Sequence, residues 1–387
     1  MEERTRQSTK RKVKQESYFD YSLLFIIIFL LCFGLVMIYS ASSYEAQTEF
    51  GNASHYMRKQ LFSTMLGLVA MFFVTVLDYH IWYRFSTLAY IVSGILILLV
   101  LTPLGIEANG ARRWLNLGLS LQPAEVAKLG SILFFSYMIC KLGKKVHKLQ
   151  ATILLLALAA PIVLMIKQIT SNLSSAIIVM GIVCLMIFVA TPYYKRYFVL
   201  VFGVVVVVVG FVYLLVSGII PEESSFRFGR IIAWLDPEAY PDTTGFQTLQ
   251  ALYAIGSGGI LGKGLGASMQ KLGFIPEAQN DMIFSIICEE LGLFGAVAVM
   301  FLFLLMIWRF MIIANNAPDL YGALIVVGVM AHIAIQVVLN IAVVTNSIPN
   351  TGISLPFISY GGSSVMFLLI EMGMVLSVSR RIKLDNT

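Results

Sequence analysis

Long apolar runs separated by short polar stretches recur along almost the whole chain. They fall at about 21–41, 60–77, 86–104, 124–142, 151–168, 173–190, 198–216, 281–310, 320–342 and 356–378. Each is near the roughly 20 residues an α-helix needs to cross a hydrocarbon core, so the pattern predicts ten membrane-spanning helices. No segment shows the period-2 alternation of a membrane barrel, and open backbone finds no partners in lipid. The predicted fold is an all-α polytopic membrane protein. It has a basic tail over 1–20, one transmembrane domain over 21–378 and a short tail over 379–387, with one long loop over 217–280. The first run is too long for a signal-peptide core and has no clear small-residue cleavage site after it, so it is read as a retained helix.

Composition agrees. Of 387 residues, 58% are hydrophobic and 12% charged, and mean hydropathy is +0.85; a soluble domain carries roughly a quarter charged residues. The net charge of +6 suits basic cytoplasmic loops better than nucleic acid. Loops on the side of the termini hold Arg4, Arg6, Lys10, Arg11, Lys12, Lys14, Arg84, Lys141, Lys144, Lys145, Lys148, Lys195, Arg196, Arg309, Arg380, Arg381 and Lys383. The short loops opposite hold Arg58, Lys59, Arg112, Arg113 and Lys167. By the positive-inside rule both termini are cytoplasmic and the long loop is extracytoplasmic. The four cysteines lie in apolar runs and the four histidines are scattered, with no disulfide or metal spacing.

The chemistry concentrates in Gly245 to Gly292, GFQTLQALYAIGSGGILGKGLGASMQKLGFIPEAQNDMIFSIICEELG. Asp281 stands where this polar, glycine-rich loop turns into an apolar span. It reads either as a helix-start acid favoured by the helix dipole or as a general base, a role aspartate fills best against an apolar rim. Glu277 precedes it. Glu289 and Glu290 follow about 12 Å deeper at 1.5 Å per residue, where charges face a cavity or a partner; Glu371 in the last span is similar. Arg112, Arg113, Lys128, Arg227, Arg230, Lys263 and Lys271 gather on the Asp281 side in topology. Singly each is read as a cation snorkelling to headgroups; as a set they suit a pyrophosphate or another anion. Glu125 and Lys128 share a helix face and can pair. The glycines 256 to 266 form no P-loop; they mean close backbone approach to a ligand, or tight re-entrant turns. His332, Gln336 and Asn340 make a polar stripe suited to helix–helix hydrogen bonds. A second polar, glycine-rich stretch, Asn350 to Ser364 and including Ser363, sits at a helix mouth. No dedicated metal cage is visible, although a divalent cation, Mg or Mn, is compatible with anion chemistry there.

Five stretches in order, NGARRW, QPAEVAK, GSGGILGKGLGASMQK, PEAQNDMIFSIICEELG and PFISYGGSS, resemble the SEDS family of bacterial wall synthases, the FtsW, RodA and SpoVE proteins. The similarity spans nearly the whole chain, and GKGLGASMQK and EELG are closer to the FtsW and SpoVE pattern. The resemblance implies a ten-helix fold in the bacterial cytoplasmic membrane. It also implies a peptidoglycan glycosyltransferase that polymerises lipid II for division or spore cortex, working with a class B penicillin-binding protein. The family's essential acid falls on Asp281, and its basic positions on Arg112 or Arg113, Lys128, Arg227 and Arg230. Glu125, Glu277, Glu289, Glu290 and Ser363 are expected to support the cavity. One departure stands out: the family's Gln-Pro-Asp-Leu-Gly-Thr loop between spans five and six is here Thr170-Ser171-Asn172-Leu173-Ser174-Ser175, with Asn172 in place of the acid.

Two other readings compete with the enzyme. In-membrane polar residues also suit a lipid II flippase, though no internal repeat or paired broken helices are visible. A non-catalytic scaffold for the penicillin-binding protein would present an exposed helix face to its membrane anchor. On every reading the chain is expected to contact membrane lipids and no nucleic acid.

Overall fold

A computed structural model describes residues 18–383, apart from 109, 117–119, 194–198, most of 200–225 and 242–244. Helix α1, Tyr21–Phe50, begins where the Asp20 carboxylate accepts the Leu23 amide at 2.8 Å and ends on Gly51 at φ +65°. Then come α2, His55–Val76, and α3, His80–Leu99. Helix α4, Pro123–Leu142, starts on a proline, whose missing N–H costs nothing in a first turn. Helix α5 is Leu149–Ile169 and α6 is Leu173–Ala190. Two shorter helices, α7, Phe226–Leu235, and α8, Phe246–Gly258, lie in the long loop. Helices α9, Ile283–Asn315, α10, Leu320–Val344, and α11, Gly362–Ser379, complete the chain.

Nine of the described helices, all but α7 and α8, are long and apolar enough to cross a membrane. The span expected at 198–216 lies largely outside the described residues. The last span starts later than expected because 356–360 is turn, with Phe357 at φ +64°. Helices α4, α10 and α11 are the most enclosed, and α2, α3 and α5 expose most of their surface. The stripe on α10 faces inward: His332 meets Glu371 of α11 at 2.8 Å, and Gln336 donates to the Ser354 carbonyl at 2.9 Å. At the end remote from Asp281, Arg309 of α9 grips Asp20 through two nitrogens, tying α9 to the start of α1.

The helical fold class holds, and one loop adds a small sheet to it. Three short strands, β1 Gly105–Ala108, β2 Ala111–Asn116 and β3 Ser120–Leu121, form an antiparallel sheet between α3 and α4. Ala108 pairs with Ala111, so the connection is two residues long, and Gly110 takes φ +72° there. Asn-Gly is the strongest short hairpin signal because both turn residues need positive φ.

The departure in the fifth inter-span loop also has a physical account. The Asn172 side chain accepts the Ser175 amide at 3.0 Å and caps α6. Asparagine and aspartate cap equally well, so the substitution keeps the helix start and drops only the charge.

Candidate active site

Asp281 lies one residue before the cap of α9, which is Met282. The aspartate is half-buried. Its backbone carbonyl accepts from Asn340 Nδ2 at 2.7 Å, and the same nitrogen donates to the Ile353 carbonyl at 2.7 Å. One side chain of α10 thus clamps the head of α9 to the 345–361 loop. A Cβ placed on Gly352 would stand 3.8 Å from Asp281 Oδ2, so that loop passes directly beside the carboxylate.

Neighbouring elements hold both segments. The Ser174 hydroxyl, on α6, donates to the Thr351 carbonyl. Asn350 donates to Gln247 of α8 at 2.9 Å, and Gln247 donates to the Pro276 carbonyl at 3.3 Å. Trp234 of α7 donates to the Asn346 carbonyl at 2.9 Å. Towards α1 and α2, Gln279 donates to Glu45 at 3.1 Å, Tyr56 donates to the same oxygen at 3.1 Å, and the Tyr360 amide donates to the Gln279 carbonyl. Burial pushes the Tyr360 hydroxyl above the ordinary tyrosine range, which keeps it a donor.

These restraints leave a set of acceptors over. Asn340 Nδ2, Gln279 Nε2 and Asn280 Nδ2 are each committed to a carbonyl or carboxylate, the last to Glu277 at 2.8 Å. Their amide oxygens are buried and have no hydrogen-bond partner, and neither has Thr351 Oγ1. Unsatisfied buried oxygens are rare. They lie in the wall that holds Asp281: Gln279 and Asn280 just precede it, and Asn340 bonds its backbone carbonyl.

The glycine-rich loop approaches the protein's own backbone. Helix α9 breaks at Gly292, φ +67° and ψ −166°. An unbroken helix would bond the Leu293 amide to the Glu289 carbonyl and the Phe294 amide to that of Glu290. Here the loop substitutes on both sides. Leu293 and Phe294 donate to the carbonyls of Gly259 and Ile260, at 2.9 and 3.1 Å, and the Glu289 and Glu290 carbonyls accept from Lys263 and Gly264, both at 2.9 Å. A Cβ on Gly258, Gly262 or Gly292 would lie within 2.4 Å of facing backbone, so these three positions admit only glycine.

Charges reinforce the graft. Lys263 pairs with Glu289 at 2.7 Å, and Lys271 pairs with Glu290 at 2.8 Å. Glu289 also accepts from Ser268 and the Met269 and Gln270 amides, and Glu290 from Ser40 of α1. Lys263 and Lys271, expected among the anion binders, are therefore brought to the two glutamates, and all four anchor the loop that leads to Asp281.

The remaining candidates separate. Lys128 is buried, 2.9 Å from Glu125, with Gln336 Oε1 at 3.5 Å. Arg112 and Arg113 are adjacent in β2, where the register with β1 slips: Arg112 pairs with Glu107 and Trp114 with Ile106, leaving Arg113 as the extra residue of a bulge. Arg112 is exposed and meets Glu107 at 3.4 Å, whereas Arg113 is half-buried and its Nε has no partner. Ser363 lies buried in the first turn of α11, its hydroxyl without a partner. Arg227 and Arg230 lie on α7, and their side chains fall outside what the structure describes. Among the described residues, no three His, Cys, Asp or Glu side chains stand together as a metal cage. Glu45, Gln279 and Ser40 joined the site without being expected, since their partners lie more than two hundred residues away in sequence.

A membrane bundle with a half-buried carboxylate at the head of one span, beside a polar loop, defines a polytopic membrane protein with a polar site at one end. The chain belongs to the FtsW/RodA/SpoVE family of cell cycle proteins, whose sequence model matches residues 21–384. It is 39% identical over 366 residues to stage V sporulation protein E of Bacillus subtilis, covering 93% of this chain and 97% of that one. It is 36% identical over 378 residues to the probable peptidoglycan glycosyltransferase FtsW of Geobacter metallireducens, covering 97% and 98%. Its fold matches a chain of a peptidoglycan synthase complex, whose reported structure concerns coordination of polymerisation and crosslinking, with TM-score 0.77 and 27% identity over 95% of this chain and 99% of that one. It also matches the rod shape determining protein RodA of Thermus thermophilus, with TM-score 0.66 and 26% identity over 95% and 98%.

Proposed function

We propose that this chain is a peptidoglycan glycosyltransferase that polymerises lipid II at Asp281. The observation that carries the reading is the half-buried Asp281 carboxylate at the head of α9, passed directly by Gly352 of the 345–361 loop and held in place through Asn340. The activity named for its near-full-length relatives supports it. In the reaction, the acceptor sugar's 4-hydroxyl attacks the donor's anomeric carbon. A C–O bond forms, the bond from that carbon to the lipid pyrophosphate breaks, and Asp281 takes the hydroxyl proton. Gln279, Asn280 and Asn340 hold the segment that carries Asp281. Arg113, Arg227 and Arg230 are the cations proposed to stabilise the departing pyrophosphate, an electrostatic role. Lys128, held by Glu125, sets the floor of that region. The basic-residue asymmetry supports a site on the extracytoplasmic face with both termini in the cytoplasm. A class B penicillin-binding protein is the proposed partner.

The test is polymerisation of purified lipid II in proteoliposomes, with moenomycin present and a catalytically inactive partner. The wild type should yield glycan strands. Asp281→Asn should yield none while eluting as a monodisperse protein. Wild-type rates in that variant would remove Asp281 from the mechanism.

A further inference from the structure

The tip of the glycine-rich loop carries large apolar side chains in the open: Ile260 is 72% exposed, Leu261 82% and Leu265 58%. This tip is joined to the outward face of α9, because the Leu293 and Phe294 amides donate to the Gly259 and Ile260 carbonyls. Leu293 and Phe294 are themselves exposed and begin a row that continues through Phe301 and Leu304, the lipid-facing side of a membrane-crossing helix. Depth agrees. Leu293 stands about 24 Å along α9 from Arg309 at 1.5 Å per residue, within a hydrocarbon core of about 30 Å.

Hydrocarbon offers backbone N–H and C=O groups no partners, so non-helical backbone at that depth must lie against protein that satisfies them. The three amides after Leu261 meet that condition: Gly262 donates to Gly258, Lys263 to Glu289 and Gly264 to Glu290, each at 2.9 Å. The one charge on the tip, Lys263, turns back onto Glu289 at 2.7 Å. The large side chains left facing outward at the tip, Ile260, Leu261 and Leu265, are apolar.

We infer that Ile260, Leu261 and Leu265 are seated in the acyl-chain region of the bilayer leaflet at the Asp281 end, so that the loop is a lipid-embedded wedge. Bilayer hydrocarbon is the occupant because the tip continues the lipid-facing row of α9 and presents no unneutralised charge for a protein partner's polar rim. The inference does not depend on the chemistry at Asp281.

The test is spin-label accessibility in proteoliposomes, using the full chain with its four cysteines replaced. Leu261→Cys and Leu265→Cys are labelled at the tip, Phe301→Cys serves as the lipid reference and Glu238→Cys as the aqueous one. The expected result is that tip labels collide with oxygen several-fold more than with a water-soluble nickel chelate, matching Phe301 and not Glu238. Chelate collision at the Glu238 level would overturn the inference, and so would protection from both reagents, since that would mean burial in protein. A photo-crosslinking residue at position 261 in the otherwise native chain provides a second reading. Adducts to phospholipid support the wedge; adducts to a second polypeptide alone overturn it.

Discussion

Asn340 holds two backbone carbonyls with one amide nitrogen, and that single contact ties the head of α9 to the loop beside Asp281. Replacing it by leucine orphans both carbonyls in a buried setting, at about 1–3 kcal/mol each. The expected outcome is a lowered unfolding temperature and a loss of polymerisation at least tenfold, with the loss in turnover exceeding any change in KM. Unchanged turnover would mean the clamp is not needed to position Asp281. At the opposite end, Asp319 caps α10 and accepts from Tyr79 and His80. Partial burial works to raise its carboxyl pKa, but the bonds from Tyr79, the Gly322 amide and His80 outweigh burial and lower it. A depressed folded pKa gives stability that is present above the unfolded value, about 4, and is lost as pH falls through the folded value. Asp319→Asn keeps a good cap and removes the charge, so its unfolding temperature should fall less steeply than wild type below about pH 4. Equal slopes would refute the assignment. Asp281 was legible because an acid at the mouth of an apolar run is conspicuous in one dimension. Glu45 was not, because only the fold brings it to Gln279.

The broken α9 and the loop that repairs it form one element in all but sequence. The glycine spacing told of close approach, yet left open whether ligand or chain would be approached. The break itself was hidden, because the apolar pattern runs on through Gly292 and glycine is common within spans. The ion pairs Lys263–Glu289 and Lys271–Glu290 needed a fold-back that local spacing does not encode, so both lysines read as anion binders. The sheet escaped for a different reason: a window wide enough to find spans averages over a short hairpin. The element's energetics can be separated by a double-mutant cycle on Lys271 and Glu290. Removing one partner of a buried pair leaves an uncompensated charge, at about 3–5 kcal/mol. Lys271→Met and Glu290→Gln should each lower the unfolding temperature sharply, and the double variant should fall well short of their sum. Additive losses would show that the two residues act independently.

At the scale of the molecule, the apolar pattern already fixed nine of the crossings to within several residues, because a bilayer imposes a length and a composition on every span. What it does not impose is sidedness, which rests on where the basic residues fall between spans. Asp20, Arg309, Asp319 and Arg381 gather at one end of the bundle, and Asp281, Glu277 and the sheet at the other. An odd or even number of crossings in 194–225 therefore does not alter which described groups share an end, because α9, α10 and α11 alone carry the chain from Glu277 to Lys383. Cysteine placed at exposed Glu277 should react with a membrane-impermeant maleimide in intact spheroplasts. Cysteine at Lys383 should react only after permeabilisation, and the wild type, whose cysteines lie in apolar runs, should give the background. The reverse pattern would put Asp281 on the cytoplasmic face, away from any glycan strand, and would overturn the proposed reaction there.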